Sequence, residues 1–190
     1  MTNSERDADR AALIAPGRGY GPDAPLLDYA GRAADNRGAT VEAVAWESAD
    51  EIAAMSADDD SKAICAQVAA RLEAIPAARP LLIGKSLGSH AASVAADRDL
   101  PAVWITPLLH REWVIDGMRA ATQPFLLIGG TADRTWFGDV ARSLSPYVLE
   151  IDGANHGMFV PGRLADSAAV LGRVATAVED FLDQVVWPVR

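Results

Sequence analysis

Leu81, Leu82, Ile83, Gly84, Lys85, Ser86, Leu87 and Gly88 form the stretch that decides the fold. A short apolar run ends in two glycines that flank a serine, and Ser89, His90 and an Ala-rich segment of helical character follow. A run of this length bounded by turn residues reads as a strand buried on both faces. It feeds a helix through a sharp turn, with Gly84 and Gly88 giving the clearance that a strained backbone at Ser86 requires. A G-x-S-x-G pentapeptide in that setting projects its serine from the sheet edge. It also aims the first free amides of the helix at the same point, that of Leu87 first. The simpler reading is an N-cap serine between two packing glycines, so the chemistry needs partners elsewhere in the chain.

Similar apolar runs recur on either side: Ala11 to Ala15, Val41 to Trp46, Ala102 to Thr106, Phe125 to Gly129 and Tyr147 to Ile151. Each but the second is closed by Gly, Pro or Asp. Between them lie segments of helical periodicity at about 23–36, 60–75, 87–96, 110–121, 136–143 and 164–185. Six strands alternating with helices predict a doubly wound α/β domain, with a parallel sheet covered on both faces. In such sheets the ligand lies beyond the carboxyl ends of the strands, where Pro16 to Gly21, Ser86, Pro107 to His110, Asp133 and His156 all fall.

The 190 residues and 20.1 kDa suit one domain over 11–190, behind a flexible N-terminus at 1–10. The opening MTNSERDADR carries no apolar core, so a cytoplasmic location is expected. A net charge of -9 argues against nucleic acid and anionic membrane surfaces as partners. No apolar run approaches the roughly 20 residues of a membrane span. The lone Cys65 leaves no disulfide and no thiolate cluster for a metal, and reads as a buried small residue.

A serine hydroxyl is a poor nucleophile without a base, and the base needs a carboxylate to orient it. Asp133 follows the fifth strand and could receive an imidazole N–H, or else serve as a turn or N-cap residue. His156, in DGANHGM after the sixth strand, is the candidate base. His90 lies one turn into the helix after Ser86, where packing or capping is favoured, and His110 reads as a surface helix start. Asp152 competes with Asp133 as the orienter but ranks behind it on position. The chain order Ser, Asp, His after successive strands is that of an α/β-hydrolase triad.

On GKSLG, LLIGGTAD and DGANHGM the chain resembles the α/β-hydrolase superfamily. It is most similar to compact, capless bacterial serine hydrolases of the small carboxylesterase and dienelactone-hydrolase-like kind. The resemblance runs from Ala11 to about Val185 and implies a minimal six-stranded fold with no N-terminal hairpin and no cap domain. It also implies a serine hydrolase with catalytic Ser86, Asp133 and His156, acting on a small ester or thioester without metal or organic cofactor. The oxyanion donors would be the amides of Leu87 and Arg18, with Gly17 as the fallback, although Pro16 stands where the family often has His. Tyr20, Leu108, Trp136 and Met158 would bind substrate, with Phe159 a further wall, whereas Trp104 inside a strand reads as core. Lys85 is either a pocket cation or a surface charge. The alternatives are a non-catalytic binding protein of the same fold, for which a side chain filling the gap between His156 and Ser86 would speak, and an acyltransferase or peptidase using the same triad.

Overall fold

The computed structural model describes residues 9–46, 57–77 and 79–188. The expected flexible N-terminus therefore lies almost wholly outside the described residues. Six strands, β1 (Ala11–Ala15), β2 (Thr40–Ala43), β3 (Leu81–Lys85), β4 (Ala102–Ile105), β5 (Phe125–Gly130) and β6 (Tyr147–Ile151), form one parallel sheet. Their order is β2-β1-β3-β4-β5-β6.

Side chains alternate between two cores, as a pleated sheet covered on both faces requires. Leu13, Leu82, Trp104 and Leu127 point into one core. Against it pack α2 (Ala57–Glu73), α3 (Ala92–Asp97), α4 (Glu112–Ala120) and α5 (Gly138–Leu144). Ile14, Ile83, Val103, Ile105 and Ile128 point into the other, which is closed by α1 (Pro25–Asp35) and α6 (Leu164–Phe181). Proline at the first turn of α1 supplies a helical φ where its missing N–H costs nothing.

Several element boundaries differ from the sequence expectation, three of them for a visible physical reason. The β2 ladder closes at Ala43 instead of running to Trp46, although the Val44 amide still donates to Ile14 O at 2.9 Å. The helix expected from Leu87 begins as a 3-10 turn over Ser86–Ala91, and α3 starts only at Ala92. Within that tight turn the Ser89 hydroxyl donates to Ser86 O at 2.6 Å. The helix expected from Trp136 starts at Gly138, because Trp136 is drawn into the sheet face beside Gly129, where any Cβ would strike its ring. Cys65 is only partly buried, with its thiol donating to His90 O at 3.2 Å.

The sheet reverses its winding between β1 and β3, so the loops after these two strands diverge and leave a crevice at their carboxyl ends. Pro16 to Gly21 and Ser86 stand on its two sides.

Candidate active site

Ser86 has φ +49°, a left-handed conformation that a non-glycine residue rarely adopts. The packing enforces it. A Cβ at Gly88 would overlap the carbonyl oxygen of Ala15, and one at Gly84 would lie 2.5 Å from the Trp104 ring. The two glycines thus let the turn press against β1 and β4, and the strain at Ser86 lifts its side chain into the crevice.

His156 approaches from the loop after β6. Its Nε2 is 2.8 Å from Ser86 Oγ and its Nδ1 is 2.7 Å from Asp133 Oδ2. The Asp133 side chain is 1% exposed and that of His156 41%, so the carboxylate is enclosed while the imidazole meets the solvent. Burial pushes the Asp133 carboxyl up, but hydrogen bonds from His156 and from the Thr135 amide and hydroxyl outweigh it and hold the carboxyl below its ordinary range. Asp152 instead accepts from the Thr131 hydroxyl at 3.0 Å.

The loop holding His156 is laced by Asn155, whose Oδ1 accepts from the amides of Gly157 at 2.9 Å and Phe159 at 3.1 Å. Thr135 and Asn155 were not singled out from the sequence. Each had a local signal: a Thr two residues after the Asp, and an Asn able to bond amides two and four residues on. Ser89, fully buried, accepts from the Leu108 amide at 3.1 Å and ties the loop after β4 to the turn at Ser86.

Arg18, Ser86, Leu87, His90, Leu108, His110 and Arg111 line a cavity of about 310 Å³. The turn Gly17 to Tyr20, closed by the Tyr20 amide on Gly17 O at 3.3 Å, brings Gly17 against the Ser86 side chain. Leu108 is the one expected wall residue in this cavity. Tyr20 and Met158, with Phe159, line a separate apolar cavity of about 190 Å³ beside the His156 loop. Trp136 lines neither: it is a core residue, its indole N–H donating to Glu150 at 2.7 Å. Trp104 is core, as expected.

His90 is buried and takes the Trp113 indole N–H on Nδ1 at 3.3 Å, in keeping with a packing role. His110 is exposed at the cavity rim, and partial burial together with the Arg111 charge pushes its imidazole below the ordinary value. Lys85 is no surface charge, being 3% exposed.

No family model matches the sequence, and no curated protein matches it. Solved structures do match in shape. A Xanthomonas campestris protein assigned to the α/β-hydrolase superfamily superposes with a TM-score of 0.72 at 19% identity, over 93% of this chain and 99% of that one. A second protein from that organism, an α/β serine hydrolase without a lid, gives 0.65 at 19% identity over 95% and 85%. The esterase domain of a Rhodothermus marinus protein gives 0.61 at 17% identity over 97% and 90%. The chain has the α/β-hydrolase fold, in a compact form. Every element among the described residues belongs to the sheet or its two helical layers, and none of the helices is long and apolar enough to cross a membrane.

Proposed function

We propose that this protein is a serine hydrolase that cleaves a small ester or thioester through an acyl-enzyme on Ser86. One observation carries the reading: the unbroken chain of short contacts from Ser86 Oγ through the His156 imidazole to the enclosed Asp133 carboxylate. With its proton on Nδ1, His156 presents a free Nε2 lone pair to the serine hydroxyl. Ser86 Oγ attacks the acyl carbonyl carbon while its proton passes to Nε2, and Asp133 stabilises the imidazolium that results.

The carbonyl oxygen then carries the negative charge, within reach of the Leu87 amide at the start of the 3-10 turn and of an amide from the Gly17 to Tyr20 loop, that of Arg18. Collapse of the tetrahedral adduct breaks the bond to the leaving group, which takes the proton from Nε2. Water, deprotonated by the same nitrogen, attacks the acyl-enzyme and frees Ser86. No side chain stands between His156 and Ser86, whereas the non-catalytic alternative called for an occupied gap. The low identity of the structural neighbours leaves acyl transfer and peptide hydrolysis to be separated by assay.

A fluorophosphonate probe labels the wild-type protein and spares Ser86→Ala, with intact mass and circular dichroism confirming a folded variant. Absence of labelling in the folded wild-type protein removes the hydrolase reading.

A further inference from the structure

Lys85 immediately precedes the nucleophile, yet the mechanism above does not use it. It is 3% exposed, and among the described residues no carboxylate lies within ion-pair distance of it. An ammonium withdrawn from water without a counterion is costly, and an apolar side chain of similar volume would fill the space without that cost.

What the ammonium does touch comes from three other strand ends. Nζ donates to Thr106 Oγ1 at 3.2 Å, just past β4, and to His156 O at 3.3 Å, in the loop after β6. It also lies 4.5 Å from the centroid of the Tyr20 ring, in the loop after β1. Tyr20 is itself pinned, its hydroxyl accepting the Leu26 amide at the start of α1 at 2.9 Å. From the end of β3, one charged group thus joins the base loop and the loop that faces the nucleophile.

We propose that Lys85 is a positioning residue of the triad, its ammonium holding the His156 carbonyl and the Tyr20 ring so that the imidazole stays aligned on Ser86. This rests on the serine-hydrolase reading. The alignment depends on charge, because a neutral amine attracts neither the ring face nor the carbonyl as strongly.

Burial pushes the Lys85 ammonium down from 10.5 to about 8, with the Asp133 charge opposing the shift. Around it the loops carry Arg18 and Tyr20 after β1, His110 after β4, Asp133 after β5 and His156 after β6. Of these, burial raises Tyr20 and lowers His110, and Asp133 stays ionised throughout the alkaline range. Lys85 loses its charge as pH rises through about 8, and the clamp loosens with it.

The test is Lys85→Met, with turnover of p-nitrophenyl acetate followed against pH. A loosened imidazole lowers kcat by about tenfold to a hundredfold while KM moves by less than about twofold. The alkaline decline expected near pH 8 in the wild type is absent from the variant. In parallel, the low-field proton of His156 Nδ1 bonded to Asp133 is sharp in the wild type and broadened in the variant.

Should Lys85→Met misfold, Lys85→Cys gives the same decision. Treatment with 2-bromoethylamine restores an ammonium at the right reach and recovers kcat, whereas 1-iodopropane restores bulk alone and does not; treated wild-type protein controls for Cys65. Equal recovery with both reagents overturns the proposal. So does a Lys85→Met enzyme with kcat within about twofold of wild type, an unchanged pH profile and an unchanged low-field proton. If a fluorophosphonate probe leaves the folded wild type unlabelled, the hydrolase reading fails by itself, and the His156 proton resonance still decides whether Lys85 aligns the imidazole.

Discussion

Lys85 also leaves a signature in stability. Its ammonium has an ordinary value of 10.5 in the unfolded chain and about 8 in the fold, so between these pH values the unfolded chain binds more protons. Stability therefore rises with pH across that window, and below it the fold carries the full penalty, roughly 3 kcal/mol. Urea denaturation of wild type and Lys85→Met should show their difference shifting in favour of wild type by roughly that amount from about pH 8 to about pH 10. A flat difference would mean that the ammonium is well hydrated. Asp133 has the opposite sign: its lowered carboxyl contributes stability at neutral pH that is lost as acid protonates it. Ser86, Asp133 and His156 were legible in the sequence because each ends a strand in a Gly-rich loop. The burial of Lys85 was not, because it depends on Tyr20 and Thr106, which only the sheet brings near.

The strands were readable as elements for a simple reason. In β1, β3, β4 and β5 burial on both faces gives a continuous apolar run with Gly or Pro at its end, whereas the edge strands β2 and β6 are only partly buried. What periodicity could not give was the pitch of the turn after β3 or the start of α5, since both follow from close contacts across the sheet. Trp136 shows this well: an expected pocket wall becomes core because Gly129, just upstream in β5, leaves room for its ring. The same contacts make glycine substitutions position-dependent. Gly88→Ala drives a methyl group into the backbone of β1, which cannot yield, and should cost about 2–4 kcal/mol or prevent folding. Gly172→Ala, on α6 with nothing near the added carbon, should stabilise by up to about 1 kcal/mol. Chemical denaturation of the two variants checks both signs, and similar effects would contradict the packing described at the nucleophile turn.

At the scale of the molecule, length and site openness go together. Six strands and their helices hold most of the described residues, and the cavity lined by Ser86 is about 310 Å³, with the partly exposed His156 imidazole bonded to that serine. A short acyl chain fits that volume, so among p-nitrophenyl esters kcat/KM should peak at acetate to butyrate and fall towards decanoate. A maximum at long chains would point instead to use of the apolar cavity beside the His156 loop. The order of the sheet has a further consequence. Ser86 follows an interior strand with neighbours on both sides, whereas His156 hangs from β6, an edge strand with a single neighbour. On the proposed mechanism the serine and its base therefore do not share one local stability, and fraying at that edge would carry off His156 first. A partly opened molecule would keep Ser86 in place without its imidazole partner, so the proposed reactivity would be confined to chains whose last strand has docked.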